Sequence, residues 1–185
     1  NSRLEIVWFL CHVLNCQRID LYIQSEDVLI EQDLIKLMQM VQRRLSSEPF
    51  QHIIGKGSFY GRDFKVDKNV LIPRPETELI IERLKSNVKI KTLLDIGTGS
   101  GCIAITASIE SLAKNIYATD ISRAAINIAK TNMKKMNAGN IKFYVHNFLH
   151  SEFNYKFDIV VSNPPYIPKQ DLINLQAEVR DYDPT

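Results

Sequence analysis

The second half of this sequence predicts an α/β fold with a parallel, doubly wound sheet, on three observations. Short apolar runs such as Thr92-Leu93-Leu94-Asp95-Ile96 and Ile159-Val160-Val161 have the composition of strands buried on both faces. Helical stretches separate successive strands over 92–145, and that alternation requires right-handed crossovers. A glycine cluster, Gly97-Thr98-Gly99-Ser100-Gly101, joins the first strand to its helix, which is where such sheets hold ligands.

In chain order, Leu4, Val7, Trp8, Leu10, Cys11 and Leu14 recur at helical spacing and predict a helix over 3–15 with Trp8 on its core face. Ile19, Leu21, Tyr22 and Ile23 suggest a shorter second helix. Leu34, Leu37, Met38, Val41 and Leu45 give a third, with Met38 in its core and Arg43 and Arg44 as solvated cations in its last turn. Residues 1–48 therefore read as a small helical domain, and the run 49–55 ends it. Around Gly61-Arg62-Asp63, the β-prone Phe59, Tyr60, Phe64 and Val66 predict a hairpin over about 58–71. The span 49–71 is then a linker to a third unit, 72–185. His52 reads as structural. Ile72-Pro73-Arg74-Pro75-Glu76-Thr77-Glu78 is a rigid lead-in to a helix reaching about residue 86, with proline and acids suited to a helix N-terminus.

From there the pattern is strand 92–96, helix 102–112, strand 116–120, helix 123–136 capped by Ser122, strand 141–145 and strand 157–161. Taken in the order 3-2-1-4, the last strand lies at an edge.

Composition narrows function without naming it. The chain has 185 residues, 45% hydrophobic and 24% charged, with a formal net charge of +2. So small a charge, with only dipeptide basic clusters, argues against a nucleic-acid partner. Cys11, Cys16 and Cys102 lack metal-ligand spacing and suggest reduced thiols in the cytoplasm. The apolar run 6–10 is too short to span a membrane.

Two constellations carry chemistry. In the first, the glycines let backbone approach a ligand without a Cβ in the way, and Asp120 ends the next strand where a carboxylate can accept from ribose hydroxyls. The spacing G-x-G-x-G, with Cys102 where a dinucleotide fingerprint would be extended, suits an adenosine cofactor without pyrophosphate. S-adenosylmethionine is such a cofactor. Asp95 either reaches its amino end or merely caps the glycine turn. In the second, Asn163-Pro164-Pro165-Tyr166 follows an apolar strand. One side-chain amide, proline-flanked carbonyls and an aromatic ring make an acceptor site for an NH₂ group.

These motifs together resemble the release-factor glutamine methyltransferases (the HemK/PrmC type). The resemblance rests on 71–78, 94–101, Asp120, Ser162-Asn163-Pro164-Pro165-Tyr166-Ile167 and Glu178-Val179-Arg180, with the helical module before them. It implies a Rossmann-like class I S-adenosylmethionine-dependent methyltransferase sheet, incomplete at its C-terminal end, behind an N-terminal helical substrate-recognition domain. It also implies methylation of a glutamine side-chain amide (N5) in peptide chain release factors. By position, residues 97–101 line the methionine part and Asp120 holds the ribose. Phe148 stands near the adenine, preceded by Asn147 where the family often has an acid. Asn163 and the Pro164 carbonyl take the substrate amide, beside Pro165, with Tyr166 packing on it. The family's sheet has further strands, so the chain reads as a fragment of the whole enzyme. Three other readings use the same residues: an amino-group methyltransferase acting on adenine or guanine, a nicotinamide-dependent oxidoreductase, and a non-catalytic adaptor. The proline-rich 72–78 stretch weighs against the first, the glycine spacing against the second.

Overall fold

A computed structural model of the chain describes residues 2–23, 28–86, 89–148, 150, 155–164, 180 and 182. Four helices come first: α1 (Ser2–Leu14), α2 (Arg18–Ile23), α3 (Glu31–Leu45) and α4 (Phe50–Ile54). A hairpin follows, β1 (Lys56–Phe59) and β2 (Arg62–Lys65), then a 3₁₀ turn, Pro75–Thr77, that runs into α5 (Glu78–Lys85). The remainder alternates: β3 (Ile90–Ile96), α6 (Cys102–Ile109), β4 (Ala113–Asp120), α7 (Arg123–Lys135), β5 (Ile141–Val145) and β6 (Ile159–Ser162). The four strands of the main sheet pair in the order β5-β4-β3-β6, all parallel, as the sequence predicts. But β6, expected to be buried on both faces, lies at the edge with Val160 54% exposed, because no described element covers that face.

The helical module differs from its predicted packing. Its core is Phe9, Met40 and Ile53, with the Phe9 and Phe50 rings 4.9 Å apart. Trp8 and Met38, expected inside, are 47% and 58% exposed. The run Ile6-Val7-Trp8-Phe9-Leu10 is apolar on every side of the helix, so periodicity cannot select the buried face. Arg43 and Arg44 are not simply solvated cations. Arg44 reaches Glu5 on α1 at 2.9 Å and 3.2 Å, and Arg43 grips Glu48 at 2.8 Å and 2.5 Å. Such two-point contacts fix orientation as well as charge. The short α4, absent from the sequence reading, starts after Pro49 and closes on Gly55 at φ 70°.

The hairpin turn is Tyr60-Gly61 (φ 51° and 71°), with Arg62 and Asp63 already in β2. Two left-handed residues form the turn that matches strand twist. Tyrosine tolerates the first position because α5 holds it: its N–H donates to Glu78 Oε1 at 2.8 Å and its hydroxyl to Glu82. Phe59 and Phe64 of the hairpin are fully buried in the cluster containing Leu93, Ile105 and Ile116 of the main sheet and α6. The hairpin is thus packed on the sheet. His52 is buried, its Nε2 3.4 Å from the Val70 carbonyl.

One side chain welds these pieces. Asn132, on α7 and fully buried, accepts from Lys65 N at 2.7 Å and donates to Lys65 O at 3.0 Å and Ser100 O at 2.9 Å. It ties β2 to the loop after β3. Removing a buried amide with three partners leaves those partners unsatisfied, so Asn132→Ala should lower stability by roughly 3 kcal/mol. Denaturant midpoints test this, and an unchanged midpoint would contradict the role.

Candidate functional site

The site lies where β3, β4 and β6 end. Ile96 pairs with Thr119 and with Ser162, so the chain leaves all three strands at one edge of the sheet. There the glycine loop, Asp120 and Asn163 come together. Because β4 lies on one side of β3 and β6 on the other, this is also the switch point where open sheets form a crevice.

The glycine loop is held from below. Thr98 N–H donates to Thr119 O at 2.8 Å, and Gly101 N–H donates to Thr98 O at 2.8 Å. Thr98 and Ser100 are buried. The glycines divide into two roles. A Cβ at Gly97 or Gly99 would meet nothing within 4 Å, so these two face open space. A Cβ at Gly101 (φ 83°) would stand 2.8 Å from Ile105 Cδ1 and 3.1 Å from Ala129 Cβ. The third glycine is therefore required by its left-handed backbone and by the close approach of Ile105 and of Ala129 on α7, which leaves its backbone free to line a ligand as the sequence suggests.

Asp95, near the end of β3, is fully buried. Its Oδ2 accepts from Thr98 Oγ1 at 2.7 Å and from Ala104 N at 3.2 Å. Its Oδ1 has no hydrogen-bond partner among the described residues. Both sequence readings thus have a place: one oxygen caps the loop and α6, and the other is left for a donor. Burial pushes the carboxyl up to about 6, against the bonds from Thr98 and Ala104, and the Asp120 charge adds to the rise. An orphaned, buried oxygen of this kind fits the ammonium of an amino-acid cofactor. Cys102 beside it is inert, because burial pushes its thiol up to about 12.

Asp120 ends β4 and is half-buried. Oδ2 accepts from Gly99 N and Oδ1 from Ser122 N, each at 2.9 Å. A carboxylate has about four acceptor directions, so two remain for hydroxyl donors while the other two brace the loop. Ser122 in turn caps α7 by accepting from Ala125 N at 3.2 Å. Phe148, half-buried, follows β5 at the same edge, its ring edge-on to His146 at 4.4 Å. His146 N–H donates to Asp120 O at 2.9 Å, which holds this segment beside the acid.

Asn163 and Pro164 follow β6, whose end is fastened by Ser162 Oγ donating to Ile96 O at 2.9 Å. Asn163 Nδ2 donates to Thr77 Oγ1 at 2.9 Å. Pro165 and Tyr166 lie outside the described residues, as do Glu178 and Val179. Sequence reasoning missed Thr77 and Asn132. Thr77 stood inside the quoted 72–78 stretch, but only as part of a helix start. Among the described residues no group of three His, Cys, Asp or Glu could hold a metal. No described helix is long and apolar enough to cross a membrane. A depression of about 690 Å³ lined by Lys89, Ser108, Lys114 and Asn140 opens at the opposite, amino end of β3 and β4. Its lining has no carboxylate, whereas Asp95, Asp120 and Asn163 lie toward the carboxyl ends.

Parallel sheet, glycine loop and terminal acid define a nucleotide-binding domain of the methyltransferase class. The methyltransferase small domain model matches residues 74–178, and the PrmC N-terminal domain model matches residues 1–55. Proteins named release factor glutamine methyltransferase match nearly the whole chain. That of Koribacter versatilis is 39% identical over 188 residues, covering 100% of this chain and 67% of its own. That of Bacillus cereus is 40% identical over 189 residues (97% and 65%), and that of Chlorobaculum tepidum 38% over 195 residues (98% and 66%). The chain belongs to the release factor glutamine methyltransferase family. It spans about two thirds of the length of the curated relatives it matches. Trm5b from Pyrococcus abyssi has the same fold, with a TM-score of 0.50 and 20% identity over 63% of this chain and 34% of its own.

The Asp95 carboxyl generates a prediction whose sign follows from its raised value. Between about pH 4 and pH 6 the unfolded chain has lost this proton and the folded chain keeps it, so the native contribution falls as pH rises and is flat above. Asp95→Asn can keep both accepted bonds without titrating. The stability of that variant relative to native should therefore grow by about 3 kcal/mol between pH 4 and pH 7. Urea melts across that range test it, and a pH-independent difference would contradict it.

Proposed function

We propose that this chain carries the catalytic site of an S-adenosylmethionine-dependent enzyme that methylates the side-chain amide nitrogen (N5) of a glutamine in a peptide chain release factor. The observation that carries the proposal is the placement of Asn163 at the end of β6, beside the glycine loop of β3, with Nδ2 committed to Thr77. That leaves Oδ1 to accept from a substrate N–H.

The residues present fit the cofactor. Gly97, Thr98, Gly99, Ser100 and Gly101 would line its methionine part, and Asp95 Oδ1 would take its ammonium, directly or through water. Asp120 would accept from the ribose hydroxyls with its two remaining lone-pair directions, and Phe148 would flank the adenine. When bound, S-adenosylmethionine supplies an electrophilic sulfonium methyl with a neutral leaving group. The protein's own work is placement and electrostatics. An amide nitrogen is a poor nucleophile because its lone pair is delocalised into the carbonyl. Two acceptors, Asn163 Oδ1 and the Pro164 carbonyl, would hold its two N–H bonds and raise electron density on nitrogen. The same acceptors favour the positive charge that develops there, and Tyr166 would pack on the amide plane. No neighbouring base is required, because the nitrogen can lose its proton after the transfer.

The helical module, residues 1–48, would contact the release factor, and residues 49–71 would join it to the catalytic unit. Its exposed apolar side chains, Trp8, Tyr22, Ile35 and Met38 among them, support that assignment. A substrate of the translation machinery places the reaction in the cytoplasm.

Asn163→Ala tests the proposal. Cofactor affinity should stay within about twofold of native, because the glycine loop and Asp120 are untouched, while turnover falls roughly a hundredfold. Binding calorimetry and initial rates with a release factor measure the two quantities. Undiminished turnover would overturn the assignment.

A further inference from the structure

We infer that Cys11 and Cys16 form an oxidation-sensitive dithiol, which a low-molecular-weight disulfide such as glutathione disulfide converts to a disulfide bond locking the corner between α1 and α2. The inference is independent of the methylation reading and rests on how α1 ends. Asn15 takes a left-handed backbone at φ 48°. Its N–H donates to His12 O at 3.4 Å, and Cys16 N–H donates to Cys11 O at 3.0 Å. This paired closure is the Schellman ending of a helix, which sets the second residue beyond the helix against the residue five before it. Here both are cysteines. Inside a continuous helix the same spacing would place them about 140° apart around the axis, so the ending alone makes them neighbours.

The backbone bond of 3.0 Å keeps the two Cα atoms within about 7 Å, the reach of a disulfide. The side chains meet as well: the two thiols are hydrogen-bonded, with Cys11 buried and Cys16 half-buried. Both are free thiols. The corner is braced from its far side, where Gln17 N–H donates to Asp20 Oδ2 at 2.8 Å and Asp20 N–H donates to Gln17 O at 3.0 Å. Beyond it, α2 buries none of its residues, so a covalent bond at the corner adds to the little that holds it. Burial, and after it the neighbouring Cys16, push the Cys11 thiol up from its ordinary value. Cys16 is therefore the sulfur an oxidant meets first, and Cys11 the one that resolves. The Cys16 thiolate displaces one glutathione thiolate from the disulfide. Cys11 then gives up its proton and attacks Cys16 Sγ, displacing the second. Two electrons pass from the protein thiols to the glutathione disulfide, and the two protons end on the two glutathione thiols. In a reducing compartment such a bond is transient and responds to oxidation.

The test is to incubate the intact protein with glutathione disulfide, alkylate the remaining thiols after denaturation, and map the peptides without reduction. The native protein should lose two of its three thiols, with Cys11 joined to Cys16 and the buried Cys102 alkylated. Cys11→Ser should stop at a glutathione adduct on Cys16, and Cys16→Ser should leave Cys11 reduced over the same time. Asn15→Val, which disfavours the left-handed ending, should slow closure about tenfold. Asn15→Gly, which keeps that ending, should close within about twofold of the native rate. Amide exchange over Arg18–Ile23 should slow severalfold on oxidation and recover on reduction. A glutathione adduct persisting on native Cys16 beside a free Cys11 overturns the inference, as does a native pair that stays reduced. Equal closure rates in Asn15→Val and Asn15→Gly overturn the part given to the helix ending. Unchanged exchange after closure overturns the locking.

Discussion

The parallel pairing of β3 with β4 on one side and β6 on the other puts three chain exits at one edge of the sheet. The glycine loop, Asp120 and Asn163 come from those exits and from nowhere else. A one-residue slip of β6 against β3 would turn its side chains to the opposite face and carry Asn163 away from the crevice. Several bonds guard that register. Asp158 accepts from the backbone of Lys91 and Thr92 at 2.9 Å and 2.8 Å at the start of β6, and Ser162 bonds Ile96 O at its end. The Asp158 carboxyl is accordingly held below its ordinary range, chiefly by the Thr92 backbone bond.

Within that frame the polar residues of the site serve two purposes at once. Asp120 braces Gly99 and Ser122 and still has acceptor directions to spare, and Asp95 caps α6 with one oxygen while the other stays bare. A buried carboxylate with a bare oxygen costs stability, and the same burial pushes its carboxyl up to about 6. Carboxyls perturbed in this way by burial cluster at functional sites. Asn132 offsets that cost nearby by satisfying three backbone groups with one amide.

The sheet was legible because its signals are local. Apolar β-branched runs, Ser122 ahead of its helix and the glycine cluster after β3 each declare themselves within a few residues. What stayed hidden depends on tertiary partners. Nothing near Arg44 announces Glu5, which is 39 residues away, and nothing near Thr77 announces Asn163. Gly101 could be recognised as a required glycine, but the Ile105 and Ala129 side chains that crowd it could not. Trp8 and Met38 failed as core residues because an all-apolar helix or a displaced stripe carries no unique face. The turn at Tyr60-Gly61 was placed a residue late because tyrosine is a poor left-handed residue on its own and needs Glu78 to hold it there.

The central claim is that these carboxyl-end residues direct a methyl group to a glutamine amide. Mass-spectrometric mapping after incubation of the intact protein with isotopically labelled S-adenosylmethionine tests it most directly. The acceptors offered should be a release factor, its glutamine→alanine variant, ribosomal RNA and duplex DNA. The account predicts label on the side-chain nitrogen of one glutamine in the release factor, and none on the variant or on either nucleic acid. Label on a base, or equal label on the glutamine-less protein, would contradict it.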